Sequence, residues 1–252
     1  MISFVGAGPG AVDLITVRGK ICLEKADVII YAGSLVNPEL LACRKKSCKV
    51  YDSAKMTLEE VFEVMLDSYH KDEYLVRLHT GDPCLYGAIR EQMDLLDKEK
   101  IPYEYIPGVS SFCGAASALN VEYTLPGVSQ TVIITRESGR TAVPEKESLQ
   151  SLAAHKASMV LFLSTGLVDK VQEDLLSGAY TKDTPAAVVY KATWKDEKKY
   201  FCTVGTLADC VHKNNLTNTA LLIIGESLSH SDYSRSCLYN PSFETGFRKK
   251  KE

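Results

Sequence analysis

"ISFVGAGPGAVDLIT", residues 2–16, runs a short apolar stretch into three glycines and a proline. An apolar strand that ends in a glycine turn is how nucleotide-binding α/β units begin, and it predicts a first strand over Ile2–Val5 with a ligand-facing loop behind it. Gly6, Gly8 and Ala11 satisfy a loose G-x-G-x-x-G/A pattern. The rest of a dinucleotide fingerprint is missing. Such a site needs a helix that starts at the loop, so that its amides and dipole face the pyrophosphate. Here Pro9 removes an amide and "AVDLIT" delays the helix to about Thr16. A carboxylate is also needed after the second strand to bond the ribose, yet "VIIYAGS" ends in Tyr31, Ala32, Gly33 and Ser34, and Asp27 precedes that strand. No P-loop Lys-Ser/Thr pair follows. The residues argue against NAD.

Outward from this stretch, strand patterns alternate with helical ones. Strands are expected at Ile2–Val5, Val28–Tyr31, Lys49–Tyr51, Tyr74–Leu78 and Tyr103–Ile106. Between the third and fourth, Thr57 and Glu60 form a capping box, and Leu58, Val61, Phe62, Met65 and Tyr69 share one helix face. After "VEYTLPGVSQ" a second series begins, with strands Thr131–Thr135, Met159–Leu163, Ala186–Tyr190, Lys199–Val204 and Ala220–Ile224, and helices near Glu147–Ala154, Val168–Leu176 and Leu207–Asn214. The expectation is two α/β domains with mixed, mainly parallel sheets: 1–117, 118–232, and an extended tail over 233–252. A cleft between the domains is the default place for a ligand.

Composition limits the function. At 252 residues, 45% apolar and 24% charged, the chain reads as globular, with one large core or two medium ones. A formal charge of −3 offers no basic field for nucleic acid, and "RKKK" from Arg248 reads as a solvated tail. "MISFVG" has no basic-then-apolar leader, and "ALLIIG" is too short to span a bilayer, so a cytoplasmic protein without membrane attachment is expected. The eight cysteines show neither C-x-x-C nor paired Cys and His spacing, so reduced packing thiols are expected and no bound metal.

Two further loops follow strands. In "RLHTGDPCLYGAIREQ", residues 77–92, Gly81 permits close approach to the backbone, Asp82 can accept hydrogen bonds, and Pro83 stiffens the turn. In "YIPGVSSFCGAASAL", residues 105–119, Gly108, Ser110 and Ser111 offer backbone groups and hydroxyls, and Gly114 to Ala118 let a helix pack closely. Three such loops in one chain would converge at the rim of a sheet. His79 continues a strand and reads as an inward histidine bonded to backbone.

Taken together, "VGAGPGAVDLITVRG" (5–19), "GDPCLYG" (81–87), "PGVSS" (107–111) and "ALLIIG" (220–225) resemble the tetrapyrrole methyltransferases, which use S-adenosylmethionine (SAM). "YAGSLVNPELL", "GAIREQ", "LPGVSQTVIITRESGRTAVPEKESL" and "DYSRSCLYNPSF" are similar to the branch that methylates carbon 11 of precorrin-4 or cobalt-precorrin-4. The resemblance covers almost the whole chain. It implies two α/β domains, a homodimer, and SAM contacts at Gly8, Pro9, Gly81, Asp82, Pro83, Leu85, Ser110, Ser111, Leu163, Ala192, Thr219, Ala220 and Leu221. Many relatives have Met at the position of Leu163 and Gly at that of Ala192. Any cobalt would belong to the substrate.

Direct transfer from a sulfonium to an electron-rich ring carbon needs no protein nucleophile, so alignment carries the catalysis. Asp82 and then Tyr86 are the candidates to take up the proton lost later. The polycarboxylate acceptor makes cations of interest, and Arg136, Arg140 and Arg90 are the expected substrate contacts. The competing readings are methylation of another tetrapyrrole position, as in uroporphyrinogen III, and a NAD-binding oxidoreductase.

Overall fold

The structure is a computed structural model that describes residues 1–229 and 233–250. Residues 230–232 and 251–252, part of the expected second domain and tail, lie outside the described residues, as does His230. The chain forms two compact units, Met1–Ala115 with Lys191–Glu197, and Ala116–Tyr190 with Lys198–Glu252. The sequence-based division runs unbroken from 118 to 232, so it differs from the structure at 191–197. Trp194 gives the physical reason: its indole packs on Gly10 and donates to the Pro9 carbonyl at 3.1 Å.

In the first unit, β1 (Ile2–Gly6), β2 (Val28–Tyr31), β3 (Lys49–Asp52), β4 (Leu75–His79) and β5 (Tyr103–Ile106) form a sheet in the order β3-β2-β4-β1-β5. Every pairing is parallel. Parallel strands covered on both faces must be apolar throughout, and all residues of β1 and β4 are buried. Ile2, Phe4, Ile30 and Leu75 face α2 (Leu58–His70) and α3 (Arg90–Lys98) through Val61, Met65, Met93 and Leu96. Val5, Ile29, Val76 and Leu78 share the opposite core with Cys22 and Leu23 of α1 (Val17–Lys25). The capping box of Thr57 and Glu60 is present, and Thr16 caps α1, so that helix does begin late. A fourth helix, α4, covers Ser111–Leu119.

In the second unit, β6 (Val132–Arg136), β7 (Ser158–Phe162), β8 (Pro185–Tyr190), β9 (Lys198–Thr203) and β10 (Ala220–Ile224) are ordered β6-β7-β10-β8-β9. Only β6 and β7 pair in parallel; β10 enters between β7 and β8 antiparallel to both, and β9 is antiparallel to β8. Helices α5 (Leu149–Ala153), α6 (Val168–Ser177) and α7 (Leu207–Lys213) contribute Leu149, Val171, Leu175, Leu207 and Val211 to its core. Fold class is thus α/β, with parallel pairing dominant over the two sheets.

The tail is exposed along almost all of its described length, but it is not extended. Arg248 donates to the carbonyls of Leu238, Asn240 and Phe243, Cys237–Tyr239 make a single helical turn, and the Ser234 amide bonds the Pro126 carbonyl at 2.8 Å. One guanidinium satisfying several carbonyls is what folds this segment on itself. All eight cysteines are free thiols. Among the described residues no helix is long and apolar enough to cross a membrane.

His79 is inward, 4% exposed and stacked beside Phe4, but its Nε2 has no partner among the described residues, contrary to the expected backbone bond. Burial, reinforced by the charge of Arg77, pushes its pKa down to about 3. The folded chain therefore binds fewer protons than the unfolded one, whose histidine titrates near 6.5. This contribution to stability is complete above that pH and is lost as pH falls toward 3. Urea melts at about pH 7, 6 and 5 should show a slope approaching ~1.4 kcal/mol per pH unit from this group. His79→Phe, which keeps the stacking on Phe4, should remove it; equal slopes in both proteins would refute the assignment.

Candidate functional site

The site in the first unit is built where β1, β4 and β5 end. Beyond the strands the backbones keep pairing: the Ala7 amide donates to the His79 carbonyl at 2.7 Å, and Gly8 and Gly81 exchange bonds of 3.2 and 2.8 Å. Gly8 has φ +82° and Gly81 φ +58°, values that favour glycine. The third loop comes closer still. A Cβ on Gly108 would sit 2.2 Å from the Gly81 carbonyl oxygen and 2.7 Å from the Gly6 Cα. Backbone lies directly on backbone, so Gly6, Gly81 and Gly108 form one junction.

Asp82 locks this junction. Its carboxylate accepts the Gly108 amide at 3.0 Å, the Cys84 amide at 2.9 Å and the Tyr105 hydroxyl. Burial raises its pKa, but the hydrogen bonds from Tyr105, Cys84 and Gly108 outweigh it and hold the carboxyl below its ordinary value. Ser111 lies against Gly81, with Oγ 3.3 Å from where a Cβ would stand, and Pro9 lies against Gly114 in the same manner at 2.8 Å. Gly8, Pro9, Gly81, Asp82, Pro83, Leu85, Ser110 and Ser111 are thus gathered at one rim.

The "GAGPG" loop is braced from 191–197. The Ala11 amide donates to Thr193 Oγ1 at 3.0 Å, Asn37 Nδ2 donates to the Gly10 carbonyl at 2.8 Å, and Lys195 pairs with Glu39. Ala192 is buried in this segment and so joins the first unit. The amides of Ala7, Gly8 and Ala11 are all spent inside the protein, and Pro9 has none. A pyrophosphate would find too few donors here.

In the second unit, Leu161 pairs with Leu222, so two residues on Leu163 comes opposite Ala220, which pairs with Tyr190 on its other side. Thr165 Oγ1 donates to the Ala220 carbonyl at 3.2 Å. Leu163, Thr219, Ala220 and Leu221 therefore share one edge of this sheet. Leu163 is 68% exposed, unusual for a leucine at the end of a buried strand. Nearby, Ser164 Oγ accepts the Glu137 amide at 2.8 Å and donates to the Phe162 carbonyl at 2.7 Å, tying the β6 and β7 ends together. Buried Glu137 takes the Ser138 amide and Lys170 on Oε1.

The three arginines divide. Arg136 turns its guanidinium onto the carbonyls of Thr141 and Ala142, at 2.8 and 3.0 Å, closing the 137–142 loop and leaving Arg140 exposed near its tip. Arg90 stands on α3 in exposed ion pairs with Asp94 and Asp97.

Backbone strain marks the same places. Of the non-glycine residues with positive φ, Asp72, Lys100, Asn120, Lys156 and Asn215 follow the ends of α2, α3, α4, α5 and α7, where left-handed residues ordinarily terminate helices. The others are Tyr86, Ala88, Leu163, Lys191, Thr193 and Thr219. Each lies in, or within a residue or two of, the 81–87 loop or the positions Leu163, Ala192 and Thr219. Strain of this kind persists where surrounding structure enforces it, and it concentrates at ligand sites. Sequence reasoning missed Tyr105, Asn37, Thr193 and Trp194. The single tryptophan of the chain was the one visible signal.

Comparison with known proteins identifies the family. The family model for Tetrapyrrole (Corrin/Porphyrin) Methylases matches residues 1–208. The cobalt-precorrin-4 C(11)-methyltransferase of Methanocaldococcus jannaschii is 52% identical over 248 residues, covering 98% of this chain and 96% of that protein. The precorrin-4 C(11)-methyltransferase of Pseudomonas aeruginosa is 41% identical, covering 94% of each. A crystal structure of a cobalt-precorrin-4 methyltransferase superposes with TM-score 0.88 at 47% identity, over 90% of this chain and 95% of that one.

The junction can be tested by itself. Gly108→Ala places a methyl group against a carbonyl that cannot retreat, at a cost of about 2–3 kcal/mol, which for a chain of this size lowers Tm by about 4–12 °C. Gly246, with nothing within 4 Å of its Cβ position, supplies the control, and Gly246→Ala should leave Tm in place. Equal melting of the two variants would contradict the packing described.

Proposed function

The chain belongs to the tetrapyrrole (corrin/porphyrin) methylases, and from that premise we propose that it transfers a methyl group from SAM to carbon 11 of precorrin-4 or cobalt-precorrin-4, as a step of cobalamin biosynthesis. The observation that carries this reading is backbone strain at or beside the positions expected to contact SAM: Leu163 and Thr219 are two of them, Tyr86 and Ala88 lie in or next to the 81–87 loop, Lys191 and Thr193 flank Ala192, and none of the six ends a helix. Near-full-length identity to C(11)-methyltransferases supplies the acceptor.

The residues fit an adenosyl amino acid better than a dinucleotide. Amides that would cradle phosphate are already bonded, those of Gly8 and Gly81 to each other's carbonyls, while Leu163 offers an exposed apolar surface. Gly8, Pro9, Gly81, Asp82, Pro83, Leu85, Ser110, Ser111, Leu163, Ala192, Thr219, Ala220 and Leu221 would hold SAM. SAM supplies, when bound, a methyl group on a positively charged sulfur.

The protein's work is then positional. Asp82 keeps the 81–87 loop and the 107–111 loop in one arrangement, and alignment of two reactants is worth roughly 7–11 kcal/mol of barrier. A carboxylate that already accepts three donors and has a lowered pKa is a poor proton acceptor, which favours Asp82 as the clamp over Asp82 as the base. Arg140 would meet acceptor carboxylates, with Arg136 shaping the loop that carries it; Arg90, paired on its own helix, is the weaker candidate. Family analogy extends the reading to a cytoplasmic homodimer that binds no metal of its own, cobalt arriving inside the acceptor.

Melting scans with SAM, S-adenosylhomocysteine and NADH test the reading. A ligand at about a hundred times its Kd adds ~2.7 kcal/mol, or about 5–11 °C at this chain length. SAM and S-adenosylhomocysteine should shift Tm and NADH should not. Incubation with precorrin-4, cobalt-precorrin-4 and uroporphyrinogen III, read by mass, should add one methyl to a precorrin-4 form. Methylation of uroporphyrinogen III alone would reassign the acceptor, and stabilisation by NADH alone would overturn the whole reading.

A further inference from the structure

The 82–89 loop is held at both ends, and what it holds out is an aromatic ring. At its front, Asp82 is clamped by Tyr105, Cys84 and Gly108. At its back lies a chain of buried polar groups. Arg77 and Gln92 are each 5% exposed. Arg77 Nη1 donates to the Ile30 carbonyl at 3.3 Å, its Nε donates to Gln92 Oε1 at 3.0 Å, and Gln92 Nε2 donates to the Ala88 carbonyl at 2.9 Å. No ion pair involves Arg77 among the described residues. A guanidinium removed from water without a carboxylate is expensive, and what this one does is fix Gln92, which in turn fixes the carbonyl of Ala88 at φ +48°.

Between the two anchors stands Tyr86, at φ +57° and 44% exposed. A bulky residue in the left-handed region is an outlier, and so large an exposed surface is not explained by core packing. Gly87 follows because a Cβ there would come 2.2 Å from the Pro83 carbonyl oxygen, so the turn has room for a side chain at 86 and none at 87. Clamp, brace and turn together fix the backbone that carries Tyr86.

We propose that Tyr86 is a recognition residue for the tetrapyrrole acceptor, offering its ring face to the macrocycle, and that Arg77 and Gln92 are positioning residues that hold its loop in a strained form. This rests on the methyltransferase reading above and adds to it a role for the ring of Tyr86 in place of a role for its hydroxyl as a base. The apolar face of a macrocycle and an exposed aromatic ring are complementary surfaces, and a backbone already held in its binding form lowers the ordering that binding must supply.

The test uses the full chain and compares wild type with Tyr86→Gly, Tyr86→Phe and Gln92→Glu for Tm, S-adenosylhomocysteine affinity by calorimetry, and acceptor kinetics at saturating SAM. Tyr86→Gly relieves the backbone, so Tm should rise, while acceptor KM rises by about tenfold or more and S-adenosylhomocysteine Kd stays within about twofold. Tyr86→Phe should raise KM far less than Tyr86→Gly, because the face remains. Gln92→Glu keeps an acceptor for Arg77 but loses the donor to Ala88, so acceptor KM should rise with cofactor affinity retained. An acceptor KM unchanged in Tyr86→Gly would overturn the proposal. So would a loss in Tyr86→Phe equal to that in Tyr86→Gly, which would return the role to the hydroxyl, or a parallel loss of S-adenosylhomocysteine affinity. Failure of the parent reading shows separately, as wild-type protein that neither binds S-adenosylhomocysteine nor methylates a tetrapyrrole.

Discussion

Backbone packed on backbone at Gly6, Gly81 and Gly108 is the constraint on which the first unit's site depends. Three strand ends approach until a single methyl group would not fit, with the Gly108 position 2.2 Å from the Gly81 carbonyl oxygen. Parallel pairing makes this possible, because β1, β4 and β5 all end on the same side of their sheet. Side chains are excluded from the junction, so hydrogen bonds must define it. The Gly8–Gly81 exchange and the Asp82 carboxylate do so.

The cost of that arrangement is distributed in a telling way. Left-handed residues at helix ends are routine. Those at Tyr86, Ala88, Leu163, Lys191, Thr193 and Thr219 are not, and specific contacts stand beside several of them: the Gln92 bond to Ala88, the Ala11 bond to Thr193, and the Thr165 bond to Ala220, next to Thr219. A reaction whose donor already carries an activated methyl asks the protein for alignment more than for acid, base or nucleophile. Rigid, strained loops and a hydrogen-bonded carboxylate suit that demand.

Much of this was readable in the chain. Alternating strand and helix patterns placed all ten strands to within a residue or two at each end, and the delayed start of α1 separated "GAGPG" from a dinucleotide loop. Both signals are local: side-chain periodicity and capping depend on neighbours within a few residues. "GDPCLYG" and "PGVSS", the stretches that carry the family resemblance, lie together at the ends of β4 and β5. The position of β10 between β7 and β8 was not readable, since a run such as "ALLII" carries no mark of its direction or its partners. Nor was the self-folding of the tail around Arg248, which reads as one more cation in a basic run.

The sequence by itself determined the strands, the helix caps, the loops that carry glycine, and the family, because each is written in contiguous residues. Tertiary structure alone decided which groups those loops use. It paired Tyr105 with Asp82 across 23 positions and Trp194 with Pro9 across 185, and it set Gln92, gripped by a buried Arg77, behind the Ala88 carbonyl. The physical reason is that hydrogen-bond partners of a loop are set by what the completed fold brings within 3 Å, while the pattern along the chain records only that each segment prefers to be strand, helix or turn.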